Sequence, residues 1–136
     1  MVAVAAKFQA TCVVNHFPGK TPEAVHQKSI DSLEQVRDEL LKRKTSMMEM
    51  GIKPENIILD PGIGFGKTME LNERLLRFAE IVPGERVLIG HSRKRFLGEH
   101  RFEEGPNLQA AKEAIEGGAE FLRVHDPEIY QALIKG

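Results

Sequence analysis

The chain of 136 residues lacks a partner for its one cysteine, so Cys12 forms no intrachain disulfide. A lone thiol among apolar neighbours is expected to be a buried structural group in a reducing compartment. An excess of charge is missing too. The 19 Lys and Arg against 20 Asp and Glu leave a formal net charge of -1, which gives no reason to expect nucleic acid or a membrane surface as partner. No apolar run approaches the roughly 18 residues of a membrane helix. The opening "MVAVAAKFQA" is too short and too weakly basic to read as a signal peptide, so the expected location is the cytoplasm. No pair of histidines, cysteines or carboxylates has the spacing of a zinc site. No low-complexity segment or linker interrupts the chain. Hydrophobic residues at 41% and charged residues at 29% fit one folded globular unit over residues 1–136.

Four short apolar runs alternate with helical patterns. The runs are "ATCVV" (Ala10 to Val14), "NIIL" (Asn56 to Leu59), "RVLIG" (Arg86 to Gly90) and "EFLRV" (Glu120 to Val124). Each is nearly continuous and of strand length, as expected for parallel strands. A long helix is predicted from Thr21, with Pro22 at its first position, through Leu33, Val36, Leu40, Met47 and Met48 to a stop at Gly51. Asn72 is expected to cap a second helix carrying Leu75, Leu76 and Phe78. A third is expected from about Pro106 to Gly117, and a fourth from Pro127 to Ile134 behind Asp126 as cap.

This βα alternation implies right-handed crossovers and a parallel sheet. Every strand gives way to polar residues at its C-terminal end: Asn15-His16, Asp60, Ser92-Arg93-Lys94, and Arg123-Val124-His125-Asp126. That distribution favours the α/β barrel of eight βα units, in which the active site is built from those ends. A full barrel takes about 250 residues, so four units, a half-barrel, are expected here.

The stretch "DPGIGFGKT" follows the second strand and resembles a nucleotide-binding loop, yet the count fails. A phosphate-binding P-loop needs glycine where Pro61 stands, and the dinucleotide pattern needs its third glycine where Lys67 stands. Lys67 is therefore expected to be solvated. Strand alternation puts Ile58 and Asp60 on one face, and Arg123 and His125 on one face. A carboxylate facing cations describes a substrate with N–H donors at one end and an anion at the other. Plainer readings stand beside this one. Asp60 could only end a strand and cap the glycine turn, and "SRKR" could be a solvated basic loop. His16 either orients a substrate or bonds to backbone, while His26 and His100 read as surface residues.

Taken together, "LDPGIGFGK", "IGHSRKRFLG" and "LRVHD" resemble dihydropteroate synthase. The resemblance covers essentially the whole chain and implies the C-terminal half of that enzyme's (β/α)8 barrel. Such enzymes join a hydroxymethyl-pterin diphosphate to p-aminobenzoate and release pyrophosphate with Mg2+ assistance. By this resemblance Asp60 binds the pterin, Phe65 packs near the ring and the aminobenzoate, and Gly90 lines the pterin floor. Lys94 reaches the pterin carbonyl and the aminobenzoate site. Ser92 lies near the aminobenzoate with Arg93 as its basic neighbour, and Arg123 and His125 hold the diphosphate. Lys94, Arg123 and His125 are the implied catalytic set.

Mg2+ is implied to bind mainly through the diphosphate, because the family's metal-linked asparagine belongs to the other half; no metal ligand is assigned in this chain. The implied partners are the two small-molecule substrates and a second copy of the chain. Asn15-His16-Phe17 departs from the family's usual Met-His-Met. A half-pocket is expected to be inactive alone. Two alternatives remain: a methyltetrahydrofolate-type methyltransferase, and a non-catalytic half-barrel that pairs through open sheet edges.

Overall fold

The computed structural model describes residues 10–17 and 31–135. Within them four strands form one parallel sheet in sequence order: β1 (Cys12–Asn15), β2 (Ile57–Asp60), β3 (Arg86–Ile89) and β4 (Phe121–Leu122). The register pairs Cys12 with Ile57, Leu59 with Val87, and Ile89 with Leu122. Residues paired across parallel strands share a face. Cys12, Val14, Ile57, Leu59, Val87, Ile89 and Leu122 therefore face one way, and all belong to or pack against the main hydrophobic cluster. Val13, Ile58, Asp60, Leu88 and Arg123 face the other way, toward what is the interior in a closed barrel. Val14 thus lies on the helix side.

Helix α1 (Leu33–Glu49) packs Val36 and Leu40 into the cluster, each burial worth about 1.5–3 kcal/mol. Its described start is capped by Ser32, whose hydroxyl accepts the Gln35 N–H at 3.1 Å; Thr21, Pro22 and His26 lie outside the described residues. The expected stop at Gly51 is a Schellman turn. Gly51 has φ +103°, its N–H bonds to Met48 O, and Ile52 N–H reaches Met47 O at 3.2 Å.

Helix α2 (Met69–Arg74) starts on Thr68, whose hydroxyl accepts the Leu71 N–H at 3.2 Å. Asn72 is no cap: it sits inside the helix, where its side chain accepts the Gly64 N–H. Leu75, Leu76 and Phe78 are buried as expected, but on a 3-10 segment, Leu75–Ile81. Helix α3 (Glu104–Glu116) begins two residues before Pro106, which a first turn tolerates because its N–H would have no partner there. After β4 a 3-10 turn, Pro127–Tyr130, leads into α4 (Gln131–Lys135). Asp126 takes the cap position without a side-chain hydrogen bond. Cys12 is only half-buried, since β1 is an edge strand among the described residues. His100 is exposed and ion-paired to Glu103. No described helix is long and apolar enough to cross a membrane.

Candidate functional site

Asp60 ends β2 with 1% of its side chain exposed. Its Oδ1 accepts the Gly62 N–H at 2.9 Å, and Oδ2 faces Arg123 Nη1 at 3.3 Å without accepting a hydrogen bond. The loop beyond it turns through positive φ at Gly62, Gly64 and Gly66, where a side chain costs energy. A Cβ on Gly62 would stand 2.3 Å from His16 O, so this glycine also lets two loop backbones meet. Three of the loop's amides are already used. Gly62 N–H goes to Asp60, Gly64 N–H to Asn72 Oδ1 at 2.8 Å, and Phe65 N–H to Gly62 O at 3.0 Å. These three donors are turned inward, which agrees with the failed P-loop count: the loop presents a surface rather than a ring of N–H groups.

That surface carries Phe65. Its ring lies 4.7 Å from that of Phe17, tilted by 38°, and Lys94 Nζ stands 4.9 Å from its centroid. Lys94 Nζ also donates to Ile63 O at 2.6 Å, and burial pushes its pKa down to about 8, with Asp60 opposing that shift. The third strand contributes Gly90 by having no side chain. A Cβ there would lie 2.7 Å from Arg123 Nη2, because the guanidinium rests across Gly90 on its way to Asp60. Ser92 is buried and serves His125: its hydroxyl accepts the His125 backbone N–H at 3.2 Å and bonds Nδ1 at 2.8 Å. The two bonds hold the His125 imidazole in place. Gly90, Ser92, Lys94, Arg123 and His125 line one cavity of about 280 Å³.

Arg93 does not join them. It has φ 57°, the one non-glycine residue with positive φ among those described. It lines an adjoining cleft with Ser92, Phe102, Glu103, Asn107 and Asp126. Its backbone N–H is fixed by Asn107 Oδ1 at 2.8 Å. Three further polar residues are buried near the site. His16 Nε2 pairs with Glu39 Oε2 at 2.6 Å, and its pKa is lowered, chiefly by burial. His91 contacts Tyr130 Oη at 3.1 Å, with burial lowering its pKa to about 4. Lys67 is 8% exposed rather than solvated, and its ammonium donates to Gly62 O and Phe65 O. A histidine after a strand and a lysine after glycine were the signals available for His16 and Lys67.

A parallel half-barrel whose strand ends gather one buried carboxylate, an aromatic pair and several cations defines a ligand-binding (β/α)-barrel protein. The family model described as "Pterin binding enzyme" matches residues 1–125, and the chain belongs to that family. It is 34% identical over 145 residues to the dihydropteroate synthase of Synechocystis, covering 99% of this chain and 50% of that protein. It is also similar to dihydropteroate synthase from Thermus thermophilus in complex with 6HMPPP, at TM-score 0.84 and 32% identity, covering 99% of this chain and 57% of that one. The same enzyme in complex with 4-aminobenzoate gives TM-score 0.83 and 33% identity over 99% and 58% of the two chains. The chain spans about half the length of the curated relatives it matches.

Proposed function

We propose that these residues form the C-terminal half of a dihydropteroate synthase site, which joins hydroxymethyl-dihydropterin diphosphate to p-aminobenzoate. The observation that carries this is Asp60, a buried carboxylate with an oxygen that accepts no hydrogen bond, between the Phe65–Lys94 surface and Arg123. An ionised carboxylate accepts the exocyclic amine and ring N–H of a pterin side by side. Phe65 offers a face to the aromatic rings, Gly90 leaves floor space, and Lys94 donates to the pterin carbonyl. Arg123 spans ring and diphosphate, and His125, oriented by Ser92, gives one Nε2 donor to the anion. Ser92 holds His125 and lines the cavity beside the aminobenzoate position, with Arg93 as its basic neighbour in the adjoining cleft.

In the reaction the bond from the pterin methylene carbon to the diphosphate oxygen breaks, its electron pair leaving with pyrophosphate. The aniline nitrogen then forms the C–N bond and releases a proton. Cationic donors aimed at the leaving group stabilise the charge that develops there; no strong base is needed for a neutral aniline. Among the described residues no three His, Cys, Asp or Glu side chains gather as a metal site. Their donors do not fit a resident Mg2+, so no step is routed through it, and the ion would arrive on the diphosphate. The reading places the enzyme in the cytoplasm as a homo-oligomer. The test is pyrophosphate release by the complete polypeptide that carries these residues, given both substrates. Release that requires the aryl amine supports the reading, and none at all rejects it.

A further inference from the structure

We propose that Lys67 is a positioning residue: its ammonium clasps the loop after β2 to the loop after β1, and so holds Phe65 and Phe17 as an aromatic wall for the ring of a bound ligand. The proposed reaction makes no use of Lys67, yet it is the most heavily hydrogen-bonded cation among the described residues near the site. Its Nζ lies 2.9 Å from Phe65 O, 3.0 Å from Gly62 O and 3.4 Å from His16 O. Three carbonyl oxygens aimed at one point repel one another, and a lysine with three donors and no acceptor is what makes that convergence stable. Two of the carbonyls belong to the turn that carries Phe65. The third belongs to the residue before Phe17.

The close approach depends on Gly62, whose missing Cβ leaves room for His16 O. From the other side α1 holds the same β1 loop. Arg43 donates to Asn15 O at 2.8 Å and to Phe17 O at 2.9 Å, and Glu39 pairs with His16. Lys67 is therefore the tie between a loop already fixed by α1 and the turn that presents Phe65. The two rings meet at 4.7 Å as the outcome. Burial lowers the Lys67 pKa to about 8; Asp60 and Glu39 favour its charge, while Lys94 and Arg43 oppose it, and His16 contacts it through its carbonyl. The clasp thus loses its charge between pH 7 and 9. The ligand's identity rests on the synthase reading, but the clasp itself does not.

Amide hydrogen exchange on the complete polypeptide tests it, with Gly62, Gly64 and Phe65 N–H as reporters. In Lys67→Met at pH 7, exchange at these amides should rise by about tenfold or more, the loss expected when charge-assisted hydrogen bonds vanish. Strand amides in β2 and β3 should stay within twofold of the parent. Affinity for p-aminobenzoate should drop in parallel. Unchanged loop exchange, or a rise spread equally over β2 and β3, overturns the clasp. If Lys67→Met does not fold, Lys67→Gln decides. Absence of aminobenzoate binding in the parent would remove the synthase reading and leave the clasp to be judged by exchange alone.

Discussion

Gly90→Ala separates a structural from a functional use of the strand-end glycine, because one methyl group reaches one side chain. The new Cβ would lie 2.7 Å from Arg123 Nη2, 3.2 Å from Cζ and 3.3 Å from Nε. Carbon contacts settle near 3.5–4.0 Å, so the guanidinium must retreat by roughly 1 Å. From 3.3 Å, that retreat ends its approach to Asp60 Oδ2. The fold hardly notices. Half of the Arg123 side chain is exposed, so the ion pair is worth about 0–1 kcal/mol. Alanine for glycine at a permitted φ returns about 0.4–1 kcal/mol through the unfolded chain. The two nearly cancel, and Tm should stay within about 4 °C of the parent's. Losing a charged hydrogen-bond donor to an anion costs about 1.5–3 kcal/mol, roughly 10- to 150-fold in affinity. Calorimetric titration with pyrophosphate and a thermal melt read both halves. Undiminished pyrophosphate affinity would refute the assignment of Arg123, and a large loss of Tm would make Gly90 a packing residue.

Arg123→Ala should weaken pyrophosphate binding by a similar factor while leaving p-aminobenzoate within threefold, as parallel titrations would show; equal losses would make the arginine structural. Lys67 and Lys94 each have a folded pKa of about 8 against 10.5 unfolded, so the unfolded chain binds more protons between those values. Stability should therefore rise as pH climbs from 8 toward 10 and be lost on returning to 8, while affinity for the anionic substrate falls over the same range; melts and titrations across that window check the opposed slopes. The 136-residue chain alone, with Val13 44% exposed on an edge strand and a few hundred Å² of apolar surface open at about 25 cal/mol per Å², should self-associate in light scattering and form no dihydropteroate. A folded, active monomer would contradict that expectation.

Much of the architecture was legible because parallel strands write themselves as apolar runs and place their polar residues at one end. The alternation of Ile58 and Asp60 was enough to put the carboxylate on the interior face, and the glycine count was enough to dismiss a phosphate cradle. Lys67 was misread because solvation is the ordinary fate of a lysine, and nothing local reveals that three carbonyls from two loops converge on it. Arg93 lines a cleft with Ser92 beside the main cavity, a position that adjacency in the sequence does not give. Asn72 looked like a cap until the glycine turn used its side chain. These errors share one origin: they concern how loop backbones fold back onto side chains, which residue spacing does not encode.

The central claim is that Asp60 anchors a pterin ring, and the most direct measurement is calorimetric titration of a pterin into the complete polypeptide and its Asp60→Asn variant. The amide keeps one acceptor, which Gly62 N–H can still occupy as it does Oδ1 now, but it loses the charge and the second acceptor. The account predicts a folded variant with pterin affinity reduced by about 1.5–3 kcal/mol. Equal affinity in parent and variant would contradict it.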